Sequence, residues 1–263
     1  MKVFAILGHP VAHSLSPKLH NAVFQAMGLK DHVYQFYDCS PEKLKDAIQE
    51  MRQGKWEGFS VTIPYKQEVM KYVDVVLDIG ESVGAVNTVW PEDNYRDVVA
   101  TNTDYAGFLA ALNESHSQND PPLTSALVLG SGGAAQAVMA ALKDLECKVT
   151  IASRSDKDGT VSYDSLNPDD NFELIVNTTP VGMGDGRLLL EDDRWYRSDR
   201  VYFDIVYSPR ITPFLKKSQD AGAKIITGDR MFLWQAVEQA KIFTGREEVP
   251  VGVMEQVLAS LAF

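Results

Sequence analysis

The chain has 263 residues, 45% of them hydrophobic, and its 25 lysines and arginines against 36 aspartates and glutamates leave a net charge of −11. That length holds one large domain or two ordinary ones, and the acidic balance argues against nucleic-acid and anionic-membrane partners. The two cysteines, Cys39 and Cys147, lie far apart in no metal spacing, which predicts reduced thiols in a cytoplasmic protein. No apolar run is long enough to span a membrane, and Met1–Leu7 reads as a short strand rather than a signal peptide.

In chain order, Val3–Leu7 reads as a buried strand ending at Gly8-His9-Pro10. Ser16 reads as an N-cap with Pro17 at the first helical position. That helix runs through Ala26, and Gly28 closes it. Ser14 and Ser16 serve there as capping hydroxyls, and a serine pair at a helix start also suits a small carboxylate. His9, His13 and His20 fit no familiar zinc spacing, so no metal site is expected. Val33–Tyr37 is a second strand, and Ser40-Pro41-Glu42 opens a helix to about Arg52. Gly58–Ile63 is a third strand, stopped by Pro64, with Lys66 just beyond. A helix to about Val73 and a short one over Asp74–Ile79 follow. Ala85–Trp90 and Val98–Ala100 are strands, and Tyr105–Leu112 is a helix. Alternating strands and helices predict a mainly parallel sheet. Ligands bind such sheets at the carboxyl ends of the strands, where Lys66, Asn87 and Asp104 gather.

Residues 116–122 are polar and carry a Pro-Pro pair, a natural connector. Leu127–Leu129 is a short apolar run, followed at once by Gly130-Ser131-Gly132-Gly133-Ala134-Ala135, an Ala-rich helix to Leu145 and the strand Lys148–Ala152. A strand, a glycine turn, a helix and a strand in this length make a dinucleotide-binding βαβ unit. Gly130 allows the tight turn, Gly132 lets a pyrophosphate approach the backbone, and Ala135 is small enough for helix–strand packing. The second strand ends in Ser153-Arg154-Ser155 instead of an acid. A guanidinium offers bidentate donors to a 2′-phosphate, which favours NADP over NAD, with Asp156 as the nearest competing acid. Beyond lie a strand at Glu173–Asn177, a turn at Thr178–Met183, a strand at Val201–Ile205, a helix from Thr212-Pro213 to about Ala221, a strand at Lys224–Thr227, and helices over Met231–Phe243 and Pro250–Leu261.

From Gly8 to Asn21 the chain resembles the shikimate dehydrogenase family, whose G-x-P-x-x-H-S-x-S-P-x-x-H-N pattern it matches at Gly8, Pro10, His13, Ser14, Ser16, Pro17, His20 and Asn21. The resemblance continues through Ser60–Lys66, Gly84–Thr88, Thr101–Gly107, Gly130–Ala134, Ser153–Ser155, Asn177–Met183, Asp204–Pro213 and Gly228–Gln235. It implies an α/β protein of two domains. An N-terminal α/β substrate domain with a mainly parallel sheet takes residues 1–104 and the returning helices of 233–263. A Rossmann-type NADP domain takes 105–232. It also implies NADP-dependent interconversion of 3-dehydroshikimate and shikimate, a step toward chorismate and the aromatic amino acids.

By position the resemblance makes Lys66 and Asp104 the catalytic pair and Ser14 and Ser16 the carboxylate binders. Thr62, Asn87 and Gln235 hold the ring hydroxyls and ketone side, and Tyr207 lies near the substrate. The cofactor falls to Gly130, Ser131, Gly132, Gly133, Ala134, Ser153, Arg154, Ser155, Thr178, Gly228 and Met231. The partner implied is a small ring acid, and the protein a monomer or homodimer. Three positions depart from the family's usual pattern: Ser60 stands where Asn is usual, Ser153 where Asn is usual, and Phe232 where Leu is usual.

Oxidation of a secondary alcohol needs a proton acceptor for the hydroxyl. Desolvation makes a lysine a better base, and a nearby carboxylate makes it a worse one. Lys66 as base and Lys66 as charged donor to the developing alkoxide therefore both stand, with Asp104 orienting it. Three functions fit the chain: shikimate dehydrogenase with NADP, a related quinate or other ring-acid dehydrogenase with NADP or NAD, and a dinucleotide-binding sensor without turnover.

Overall fold

Eleven strands and eight α-helices are arranged in a computed structural model that describes residues 1–116, 120–154 and 159–260. They fall into two compact units, the described residues of Met1–Thr103 with those of Gln235–Ala262, and Asp104–Trp234.

The first unit is built on a six-stranded sheet in the order β2-β1-β3-β5-β6-β4. Its strands are β1 (Lys2–Gly8), β2 (His32–Asp38), β3 (Gly58–Val61), β4 (Val75–Val76), β5 (Thr88–Glu92) and β6 (Asp97–Thr101). The pairs β1–β2, β1–β3 and β4–β6 are parallel, while β5 runs antiparallel to both β3 and β6. Strand β1 shows how the period-2 pattern feeds two cores. Ala5 and Leu7 join Leu44, Ile48, Met51 and Phe59 on one face, and Phe4 and Ile6 join Phe24, Tyr34 and Phe243 on the other. The first face is covered by α2 (Leu44–Arg52), the second by α1 (Ser16–Ala26) and α7 (Gly228–Thr244). Each of these large side chains contributes roughly 1.5–3 kcal/mol by leaving water.

Several local readings are corrected. Helix α1 begins with Ser16 itself, and Leu15 occupies the N-cap position without a side-chain bond. Ser14, two residues upstream, supplies the hydroxyl that accepts from the Ser16 N–H at 3.2 Å. The expected helix from Ser40 splits into a 3₁₀ turn at Pro41–Lys43 and α2, and the one after Lys66 shrinks to a 3₁₀ turn at Glu68–Lys71. The expected helix over Asp74–Ile79 is instead β4 followed by α3 (Asp78–Val83), closed by Gly84 at φ +68°. The strand expected at Ala85 starts at Thr88 and turns back through Asp93, Asn94 and Tyr95, all at positive φ, into β6.

The second unit has a wholly parallel five-stranded sheet in the order β11-β10-β9-β7-β8. These are β7 (Ser125–Leu129), β8 (Lys148–Ala152), β9 (Leu174–Asn177), β10 (Val201–Asp204) and β11 (Lys224–Ile226). Both faces are dry, as parallel sheets require. Ala126 and Val128 pack with Phe108, Ala135, Val138, Ala141 and Leu142, which lie on α4 (Thr103–Ser115) and α5 (Gly133–Asp144). Leu127 and Leu129 pack with Trp195, Tyr196 and with Phe214 and Leu215 of α6 (Pro213–Asp220). The chain leaves β7 toward β8 on one side and later returns to β9 on the other. The order therefore reverses at β7, which is a topological switch point where open α/β sheets bind ligands. Helix α7 starts at Gly228, earlier than the Met231 expected, and α8 (Val251–Ser260) follows it.

Candidate functional sites in the two units

In the first unit one sheet edge collects the candidate residues, for a topological reason. Strands β1 and β3 are parallel with Leu7 beside Val61, so both end at that edge. Strand β5 is antiparallel to them with Thr88 beside Ser60, so it begins there, and β6 ends there with Thr101 beside Thr88. Thr62, Asn87 and Asn102 follow or precede those strand ends directly.

Backbone bonds pin each loop. The Thr62 N–H donates to Leu7 O at 2.9 Å, the His9 N–H to Ile63 O at 3.0 Å, and the Val86 N–H to Lys66 O at 2.7 Å. Gly8 makes the first crossing possible, because a Cβ there would stand 2.4 Å from Thr62 Cγ2 and 2.8 Å from Ile63 O. Ser14 and Ser16 are both buried, with their hydroxyls 3.2 Å apart. Thr62 and Lys66 are half-buried at the end of β3, and Gln235 is buried on α7.

Asn87 is the most tightly held of these side chains. It is 2% exposed, and its Oδ1 accepts from the Thr103 N–H at 2.8 Å, the Thr88 hydroxyl at 2.9 Å and the Thr103 hydroxyl at 3.1 Å. A backbone N–H can only donate, so the Thr103 bond fixes which amide atom is oxygen. The Asn87 main-chain carbonyl accepts from the Val61 N–H at 2.7 Å and from Gln239 Nε2 at 3.1 Å. Behind the serines, His20 is wholly buried and stacks on Tyr34 with ring centroids 4.5 Å apart. Burial drops its pKa to about 4, with the nearby Gln239 side chain opposing the fall, so the ring is neutral at pH 7.

In the second unit β7 runs into the glycine turn. Gly130 takes φ +111°, and a Cβ on it would lie 2.6 Å from Thr178 Oγ1. Thr178 is itself fixed, its N–H and hydroxyl both donating to Leu129 O at 2.9 and 2.7 Å. Gly132 is the N-cap of α5, and a Cβ there would meet no protein atom within 4 Å. The backbone can therefore be approached at the helix start, where free N–H groups and the dipole favour an anion. Ser131 and Ser153 meet hydroxyl to hydroxyl at 3.0 Å, and Arg154 next to them is exposed. Ser155 and Asp156 lie outside the described residues. Gly133 and Ala134 form the first turn of α5. These features fit a dinucleotide pyrophosphate at α5 and a phosphorylated ribose near Arg154.

At the far side of the same sheet, Asp204 ends β10 fully buried. It accepts from Asn177 Nδ2 at 3.0 Å, the Val206 N–H at 2.9 Å and the Thr212 hydroxyl at 2.6 Å. Burial raises its carboxyl to about 6, and those three donors pull the other way. They hold the loop bearing Tyr207, whose ring stacks on Phe232 at 4.6 Å. Gly228 packs α7 under this loop, since a Cβ on it would lie 2.5 Å from both Ile205 O and Val206 O. Arg230 forks onto Glu114 at 2.7 and 2.6 Å, fixing the first turn of α7 that carries the buried Met231. Asp104 is buried in the first turn of α4, which starts at Thr103, two residues before the Tyr105 expected.

Sequence reading missed Gln239, Ser60, Thr88 and Thr103 as a set. One signal was present: Gln239 follows Gln235 by four residues on an otherwise apolar helix face with Ala236 and Ala240, and such a pair shares one face. No group of three or more His, Cys, Asp or Glu with metal-holding geometry occurs among the described residues, and no helix among them is long and apolar enough to cross a membrane.

Two family models match the chain, the shikimate dehydrogenase substrate binding domain over residues 6–89 and the shikimate 5′-dehydrogenase C-terminal domain over residues 230–259. A shikimate dehydrogenase (NADP(+)) of Ignicoccus hospitalis is 38% identical, over 99% of this chain and 100% of its own length. A crystal structure of shikimate 5-dehydrogenase from Thermus thermophilus in complex with NADP(H) and shikimate superposes with a TM-score of 0.86 at 31% identity, covering 98% of this chain and 99% of that one. Quinate dehydrogenase from Corynebacterium glutamicum in complex with NAD gives a TM-score of 0.85 at 27% identity, covering 99% of both chains.

Proposed function

The chain belongs to the shikimate dehydrogenase family, and we propose that it carries out the reversible, NADP-dependent reduction of 3-dehydroshikimate to shikimate, a step toward chorismate and the aromatic amino acids. The observation that carries this reading is the near full-length match to shikimate dehydrogenases. The first unit serves as the substrate-binding and catalytic domain, and the second as the NADP domain.

NADP, when bound, supplies the hydride for the ketone and takes it back in the reverse direction. Gly130, Ser131, Gly132, Gly133 and Ala134 would hold its pyrophosphate, Ser153, Arg154 and Ser155 its 2′-phosphate, and Thr178, Gly228 and Met231 its remaining length. Ser14 and Ser16 hold the substrate carboxylate with hydroxyls and the α1 N-terminus. Thr62, Asn87 and Gln235 hold the ring hydroxyls and the ketone side, and Tyr207 is the tyrosine near the substrate. Lys66 exchanges a proton or donates a charged hydrogen bond at the reacting oxygen, and Asp104 orients Lys66 and the reacting hydroxyl.

The quinate reading has less support, since the quinate dehydrogenase is less similar in sequence than the shikimate dehydrogenases above. Retention of both Lys66 and Asp104 counts against a silent sensor. Free, buried Cys39 and Cys147 support work in the reducing cytoplasm. As a monomer or a homodimer, the protein gives one sedimentation coefficient that decides between them.

The test is cofactor absorbance with four mixtures, shikimate or quinate, each with NADP⁺ or NAD⁺. Rapid reduction with shikimate and NADP⁺ is expected. Activity mainly with quinate or NAD⁺ would replace this reading with the ring-acid paralogue, and silence from folded protein that binds NADP⁺ would replace it with a different substrate or with the sensor.

A further inference from the structure

Ser60, at the end of β3, faces a glutamine that comes 179 residues later in the chain. The Ser60 hydroxyl donates to Gln239 Oε1 at 2.7 Å. Gln239 Nε2 donates in turn to Asn87 O at 3.1 Å and to Thr88 Oγ1 at 3.1 Å. The Thr88 hydroxyl donates to Asn87 Oδ1 at 2.9 Å. Ser60, Asn87, Thr88 and Gln239 are 4, 2, 0 and 1% exposed, so the chain of bonds is shielded from water throughout. Its polarity is fixed end to end. Asn87 O can only accept, so the Gln239 atom facing it is nitrogen, and the other amide atom is then the oxygen that Ser60 must serve.

Resting on the reading that Asn87 holds a ring hydroxyl of the substrate, we infer that Gln239 and Ser60 are a positioning pair that holds the Asn87 amide in place, its oxygen already fixed by the Thr103 N–H, and so sets the selectivity for that hydroxyl. Gln239 grips Asn87 twice, once at the main-chain carbonyl and once through Thr88 at the side-chain oxygen. With the oxygen committed to three donors, the amide nitrogen has one direction in which to point. Ser60 commits Gln239 in the same way. Neither residue need touch the substrate for this.

The test measures kcat/KM for shikimate and for its 4-deoxy and 5-deoxy analogues with NADP⁺, and the affinity of the cofactor-free protein for the same three ligands by calorimetry. Variants are Gln239→Leu, Ser60→Ala and Ser60→Thr. A site built around a substrate hydroxyl rejects the analogue lacking it steeply, by orders of magnitude when the polar group is held in place. Gln239→Leu and Ser60→Ala are expected to cut that discrimination by about tenfold or more, since a loosened amide can turn to another partner. Ser60→Thr keeps the hydroxyl and is expected to keep the discrimination. Where Gln239→Leu fails to fold, Ser60→Ala carries the same readout. Discrimination that stays at its wild-type value while all three ligands weaken equally would reduce the pair to a structural role and overturn the inference alone. Wild-type protein that neither binds nor turns over shikimate would overturn the proposed function, and this inference with it.

Discussion

Ser131 and Ser153 touch hydroxyl to hydroxyl at 3.0 Å, and together with the Gly130 N–H donating to Ala152 O at 2.8 Å this contact joins the glycine turn after β7 to the end of β8. It sets the position of the residue that follows, Arg154, relative to the start of α5. Arg154→Ala is expected to raise the KM for NADP⁺ by about tenfold to a hundredfold, the value of losing charge-assisted hydrogen bonds of roughly 1.5–3 kcal/mol. The KM for NAD⁺, which has no 2′-phosphate, is expected to stay within about twofold. Initial rates with the two cofactors check this, and equal losses for both would remove Arg154 from phosphate recognition.

Gly130 has no room for a side chain. Its φ of +111° is costly for any other residue, and the added methyl would press on Thr178 and Thr179 at 2.6 and 2.9 Å. Gly130→Ala is expected to cost about 1–3 kcal/mol of stability from backbone strain, and to weaken NADP⁺ binding because the turn must shift. Denaturant unfolding and cofactor titration measure the two effects. A variant with unchanged unfolding midpoint and unchanged affinity would contradict the packing described.

Lys66→Met keeps length and loses the ammonium group. A positioned proton-transfer group contributes about 10²- to 10⁴-fold in rate, so kcat is expected to fall by that factor with NADP⁺ affinity unchanged. Asp104→Asn is expected to lower kcat in the same direction. A Lys66→Met enzyme with near wild-type kcat would rule out both roles proposed for this lysine.

Two buried groups, one in each unit, respond to acid in opposite ways. His20 has a folded pKa of about 4, below its ordinary 6.5, so between those values the unfolded chain binds more protons. Its contribution is complete above pH 6.5 and is lost as the pH falls toward 4, by roughly 3 kcal/mol. Asp204 is raised from 3.8 to about 6, so in that window the folded state binds more protons, and stability gained at low pH is lost as the pH rises through 6. Thermal unfolding between about pH 4 and 7 is expected to show an acid-labile slope that flattens in His20→Phe. Asp204→Asn removes the opposing slope. Wild-type slopes in both variants would show that neither group titrates as described.

Much of the fold is legible where its causes are local. The continuous apolar run Val3–Leu7 announces β1, and Gly130 to Ala135 between two apolar runs announces the turn into α5. The misread segments are those decided by distant partners. Val75–Val76 is a strand only because the edge of β6 receives it, through Asp74 N to Val98 O and Leu77 N to Ala100 O, both at 2.9 Å. The hairpin after β5 turns through Asp93, Asn94 and Tyr95 with no glycine to signal it, and tyrosine seldom accepts positive φ. Of the candidate site, Ser14, Lys66, Asn87 and Arg154 stand in short recognisable motifs. Gln239 does not, because its partner Ser60 is fixed only by the packing of α7 on the sheet.

The chain finishes its first unit last. All six strands of that sheet lie within residues 1–103, yet Phe243 of α7 packs on Phe4 at 5.0 Å and lies 5.6 Å from His20, and Gln239 bonds Ser60 one turn earlier on the same helix. On the ribosome those strands and α1 emerge with Phe4, Phe24 and Tyr34 still lacking Phe243, and with the Ser60 hydroxyl and the Asn87 carbonyl still lacking Gln239. The second unit is continuous in sequence and can close on itself as soon as it is made. Vectorial synthesis therefore delivers the strands of the first unit early and its covering helix late, so a nascent chain carries an apolar, incompletely bonded sheet for most of its growth.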